Sequence, residues 1–99
     1  MIRGTTPIHI FEIPFEVSLL EKIEITYSQK NKIVLQKHKE DVGLSGTEIT
    51  LKLTQEETLK FNTTDNVLIQ IRVKTTSGEV LANEIILASV SQVLSEEIL

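Results

Sequence analysis

Apolar and polar positions alternate with a period of two along most of this chain. Ile23, Ile25 and Tyr27 point one way while Glu24, Thr26 and Ser28 point the other, the pattern of a strand with one buried face. Ile49, Leu51 and Leu53 alternate with Thr50, Lys52 and Thr54. The longest run sets Val67, Ile69, Ile71, Val73 and Thr75 against Leu68, Gln70, Arg72 and Lys74. These runs are rich in β-branched residues, whose stiff side chains suit a pleated surface. A helix would bring several of the polar residues into its apolar stripe, so the pattern predicts strands.

Three further runs are less regular. Ile8 to Phe15 carries His9, Phe11, Ile13 and Phe15 on one face and Ile8, Ile10 and Glu12 on the other. Pro7 and Pro14 bracket it, and proline donates nothing to a ladder, which places this strand at an edge or a bend. Lys32 to His38 alternates weakly through Ile33 and Leu35. Val80 to Val90 is apolar on both faces, as in a strand covered on both sides or one that changes partner at a bulge.

Short connections imply antiparallel pairing. Ser28-Gln29-Lys30-Asn31 and Thr76-Ser77-Gly78-Glu79 each separate two runs as a hairpin would, with Gly78 free to take a positive φ. Gly43 and Gly46 flank Leu44-Ser45 in what reads as a loop. No connection is long enough for the crossover helix of a parallel pair. Thr54-Gln55-Glu56-Glu57 fits a capping box and predicts one helical turn crossing between two sheets. The end of the chain, Ser91 to Leu99, stays open between strand and helix, since Val90, Val93, Leu94 and Ile98 also fall at helical spacing.

About seven short strands and one short helical turn predict an all-β chain, folded as an antiparallel two-sheet β-sandwich of immunoglobulin-like type. A small open barrel of the same strands is the alternative. The Cys and Trp residues of antibody cores are absent.

Composition narrows the function more than the fold. Ninety-nine residues suit one domain, 1–99, with 91–99 as a candidate docking tail. A content of 40% hydrophobic and 24% charged residues is globular rather than disordered. Without cysteine there is no disulfide, thiolate metal site or cysteine nucleophile. A net charge of −4 argues against nucleic acid, whose phosphates call for a basic surface. The longest apolar run, Ile85 to Ala88, is far short of a membrane span, so no membrane insertion is expected. The first seven residues lack the apolar stretch of a signal peptide, so the chain is expected to be made and kept in the cytoplasm, at least until assembly.

Few residues offer chemistry. His9 shares its face with Phe11 and Ile13 and reads as a partly buried, hydrogen-bonded histidine. His38 sits in the charged run Lys37 to Asp41, a solvated strand end. Glu56 and Glu57 open a helical turn, where negative charge suits the dipole, and Glu96 and Glu97 lie near the chain end. No Gly-rich phosphate loop, nucleophile elbow or zinc motif occurs. No catalytic, cofactor or metal residue is therefore assigned, and the chain is expected not to be an enzyme. Lys30, Lys32, Lys37 and Lys39 serve either an acidic partner or, the favoured reading, protection of a sheet edge.

The opening Arg3-Gly4-Thr5-Thr6-Pro7 before an extended strand resembles small proteins encoded in prophages of Gram-positive bacteria. So do Leu51 to Phe61 and Ile69-Gln70-Ile71-Arg72-Val73 running into Ser77 to Ala82, together with the Val93-Leu94 ending. The resemblance spans nearly the whole chain and implies a virion or tail-associated component. The architecture is also similar to the β-sandwich modules of phage baseplates. A non-enzymatic module acting through protein contacts, either self-association or other virion components, is the expectation. Val93, Leu94, Ile98 and Leu99 are the candidate interaction residues, with packing on the domain's own core as the other reading. A carbohydrate- or cell-surface-binding β-sandwich is the alternative function, and the chain's four aromatics, Phe11, Phe15, Tyr27 and Phe61, offer it little.

Overall fold

The cleanest period-two runs become the centre of the larger sheet. A computed structural model describes residues 2–87. Its strands are β1 (Ile8–Glu12), β2 (Leu20–Gln29), β3 (Lys32–His38), β4 (Gly43–Ser45), β5 (Glu48–Lys52), β6 (Val67–Thr75) and β7 (Val80–Leu87). One helical turn, α1 (Gln55–Thr58), joins β5 to β6 and so carries the chain from one sheet to the other. One sheet has the order β1-β5-β4 and the other β3-β2-β6-β7, with every pairing antiparallel.

The core lies between the sheets. Ile23, Ile25 and Tyr27 of β2 and Val67, Ile69, Ile71 and Val73 of β6 point into it from the larger sheet. Phe11 of β1 and Ile49, Leu51 and Leu53 around β5 meet them from the smaller one, and Phe61 closes the end beneath α1. Thr54 caps α1 as its motif predicts: its hydroxyl accepts from the Glu57 N–H at 3.1 Å, and the Glu57 carboxylate accepts from the Thr54 N–H at 2.9 Å. The β2–β3 hairpin turns through Lys30 and Asn31, both at positive φ, which twists the turn with its strands. Gly78 turns β6 into β7 at φ 95°.

This strand order is informative. One sheet of the immunoglobulin sandwich runs A-B-E-D and the other C-F-G, with C′ added beside C in the variable type. Taking β1 as the second strand, β1-β5-β4 reads B-E-D and β3-β2-β6-β7 reads C′-C-F-G. The position of strand A, beside β1, holds no strand among the described residues.

Three expectations are corrected. Gly43 to Ser45 is a strand, because pairing with β5 outweighs its weak intrinsic preference. Ile33 and Leu35 do not share a face: the register slips at Val34, where Tyr27 opposes Leu35 and Ser28 opposes Ile33. That bulge leaves Ile33 65% exposed and Leu35 buried, since one extra residue flips the side chains that follow. The run beginning at Val80 starts with exposed residues rather than covered ones, and its part beyond Leu87 lies outside the described residues. As β7 it is the last described strand of its sheet, with Val80 and Leu81 exposed. Two 3-10 turns, Val17–Leu19 and Lys39–Asp41, add to the single helical turn expected.

Candidate interaction surface

The ladder between β1 and β5 fixes which backbone groups of β1 are spent. Leu53 N–H donates to the Pro7 carbonyl and Ile13 N–H to the Thr47 carbonyl, each at 3.0 Å. Both bonds lie on the same register that pairs Ile8 with Lys52 and Glu12 with Glu48. Hydrogen-bonded and non-bonded pairs alternate along an antiparallel ladder. Residues 7, 9, 11 and 13 therefore turn their backbone toward β5, while Ile8, Ile10 and Glu12 turn their N–H and C=O groups outward. No described strand lies beyond them. Pro14 ends this row, having no N–H to extend it.

The side chains make the edge apolar as well as open. Ile8 and Ile10 are 59% and 60% exposed on the outer face. On the inner face, β1 lies across β2 and β6. The His9 ring stacks on Tyr27 with centroids 5.7 Å apart. Farther along, Phe11 and Ile13 share a groove of about 320 Å³ with Ile71, Val73 and Leu81. β7 thus projects past β1, and its inward-facing Leu81 and Asn83, paired with Val73 and Ile71, form a shelf beside the groove.

The opposite edge, β3, is built differently. Its register is broken by the bulge at Val34. Lys37 points inward from it to an ion pair with Glu57, and Lys39 donates to the Leu20 carbonyl at 2.9 Å. Lys30, in the turn, pairs with Asp65 at 3.3 Å. Bulges, inward-pointing charges and lysines are the usual means of blocking strand addition. The lysine cluster thus sits where edge protection needs it.

The titratable groups are occupied with holding the body together. His9 Nδ1 and the Tyr27 hydroxyl are 2.5 Å apart, joining the two sheets. Burial, aided by the positive amino terminus, holds His9 below the ordinary histidine range. Burial also pushes the Tyr27 hydroxyl upward, and the negative Glu57 adds to it. For Glu57, burial alone would raise the carboxyl. The Lys37 hydrogen bond, the Thr54 N–H and the Lys37 charge outweigh burial and leave it lowered. His9 and His38 lie on different sheets, so they do not meet.

His38, Glu40 and Asp41 do come together, with ligand atoms within 4.8 Å of one another. All three are exposed on a single turn, and the Asp41 carboxylate already accepts the His38 N–H at 2.9 Å. Phe11, Tyr27 and Phe61 are buried and Phe15 is half-buried, so no aromatic platform faces solvent.

The four residues singled out in the sequence as an interaction site, Val93, Leu94, Ile98 and Leu99, lie outside the described residues. The prolines flanking β1 offered an edge or a bend, and β1 is the outermost described strand of its sheet. The groove residues Ile71, Val73 and Leu81 were not legible in the sequence, because a period-two pattern shows which face is apolar but not what lies across from it. Family models, curated proteins and solved structures compared with the chain give no match, so the surface is interpreted on its own geometry.

Proposed function

We propose that this protein is a non-enzymatic interaction module that assembles through the β1–β7 side of its sandwich. Tail or baseplate association in a phage particle is the setting that the sequence resemblance implies. The observation that carries the proposal is the contrast between edges: β1 presents outward-facing backbone groups and two exposed isoleucines, whereas β3 is blocked by a bulge and lysines. An open edge is a template for strand addition, in which backbone hydrogen bonds supply affinity and side-chain pockets supply specificity. The pairing of His9 with Tyr27 and of Glu57 with Lys37 supports a non-enzymatic role, since these groups are committed to structural bonds.

Light scattering across a concentration series tests the proposal. The expected result is a mass that rises above that of the 11.2 kDa chain with concentration, while Ile10→Lys remains a monomer with an unchanged melting temperature. Association that persists in Ile10→Lys, or a strict monomer in both, would overturn it.

A further inference from the structure

Two features of the β1–β7 side are incomplete in the same place. β1 turns the backbone groups of Ile8, Ile10 and Glu12 outward with no described strand beyond them, and β7 has an inward face with no described strand across from it. A single extended segment laid along β1 satisfies both, because it occupies the strand A position and covers Leu81. A folded neighbour's sheet edge suits this place less well when its second sheet lies on the same side as β7. In that orientation the neighbour's second sheet meets the projecting β7, which an isolated strand does not. The site therefore accepts an isolated strand.

The chain itself carries a segment of the right kind. Residues 88–99 number twelve, or about 40 Å when extended, whereas the open row of β1 spans only five residues. Read with a period of two, Ala88, Val90, Gln92, Leu94, Glu96 and Ile98 fall on one face, and Ser89, Ser91, Val93, Ser95, Glu97 and Leu99 on the other. The segment contains no proline and carries no charge before Glu96. Up to Ser95 it thus offers a mainly apolar face for the groove, interrupted by Gln92, and a mainly polar face for water, interrupted by Val93.

Whose segment it is follows from the turns. The described reversals between elements contain Pro14, Asn31, Gly46, Asn62 with Asp65, and Gly78, residues suited to bending the chain. From Glu84 to Leu99 there is no Gly, Pro, Asn or Asp. β7 also ends at Leu87, opposite Val67, at the far end of the strand from the groove beside Leu81. A chain returning to its own β1 would have to reverse after Leu87 and cross to the other sheet with serine as its only turn-favouring residue, whereas a second copy needs no reversal.

We propose that residues 88–99 of a second copy of this chain fill the strand A position, pairing with the outer edge of β1 and seating Val90 and Leu94 over the groove. The proposal rests on the β1–β7 side being the contact surface. Reciprocal exchange closes a two-fold dimer, and one-way exchange continues into a ring or filament.

Complementation between two disabled chains tests it. The donor-disabled chain is Val90→Lys with Leu94→Lys. The acceptor-disabled chain is Ile10→Pro, which removes one outward N–H, and Leu81→Lys is an independent second acceptor variant at an exposed position. Melting temperature and near-ultraviolet circular dichroism check that each chain is folded. The expected result is that each variant alone stays at 11.2 kDa, while an equimolar mixture of donor- and acceptor-disabled chains forms a complex of twice that mass. If wild-type protein associates but the mixture does not, the β1–β7 surface stands and the exchanged segment is overturned. If the donor-disabled chain associates as wild type does, the segment is likewise excluded. A monomeric wild type whose melting temperature falls with Val90→Lys/Leu94→Lys would place the segment on its own chain and overturn the exchange. A monomeric wild type with no such change would overturn the surface and the exchange together.

Discussion

The edge strands β1 and β3 are anchored alike and finished differently. Each buries one residue, Phe11 in β1 and Leu35 in β3, at 5% and 6% exposure. Their outward sides diverge. β3 carries a bulge, an inward-pointing Lys37 and flanking lysines, each of which spoils an approaching strand. β1 has a straight register and two exposed isoleucines, with prolines only where the row ends. The devices that protect β3 were therefore available to this fold and are absent from β1. Inward residues decide whether a strand belongs to the domain, and outward residues decide what the domain can add to itself.

The largest test of that division compares an anchor with an outward residue. Leu35→Ala should cost about 2–5 kcal/mol in urea unfolding, from lost burial and the cavity left behind. Ile8→Ala should stay within about 0.5 kcal/mol, since it touches no core group. A similar cost for both would show that the outer face of β1 is covered by the body of the protein. Next in size is Lys37→Met, which removes the inward charge and leaves Glu57 without its cation. Stability should fall by about 1–3 kcal/mol for a hydrogen-bonded charge left without its partner. Light scattering should also show new association through β3. If stability falls and no association appears, Lys37 supports the fold without guarding the edge.

The smallest effect is that of pH at the junction between β1 and the larger sheet. Burial lowers His9 from the ordinary value of 6.5, so the folded protein binds its proton more weakly than the unfolded chain does. Stability from this residue is fully present above 6.5 and is lost as pH drops below it, until the folded histidine has titrated. The difference in melting temperature between wild type and His9→Phe should therefore shrink as pH falls through this range. A difference that is constant with pH would mean that His9 titrates equally in both states.

Much of this was legible in the residues themselves. The alternation at Ile23, Ile25 and Tyr27 and at Val67 to Val73 marked the two central strands, because burial on one face leaves a period of two. Thr54 and Glu57 marked α1 through a purely local bond pattern. The prolines at 7 and 14 marked an edge or a bend, since a missing N–H is visible in sequence. What escaped was set by pairing between distant segments. Ile33 was assigned to the face of Leu35 because a bulge at Val34 depends on how β3 meets β2. Gly43 to Ser45 became a strand only because β5 was there to pair with it. The groove joins Phe11 to Leu81 across seventy positions of chain, and nothing local to either residue announces the other.

The stacked pair at the sheet junction also gives the molecule a built-in optical reporter. The chain has one tyrosine and no tryptophan, so Tyr27 dominates its near-ultraviolet absorption and emission. That single chromophore is fully buried, lies flat against His9 and shares a hydrogen bond with it. Emission from unmodified protein therefore reports on one place, the seam where β1 rests on β2. Any event that lifts β1 from the larger sheet changes that signal, whether or not the rest of the fold is disturbed.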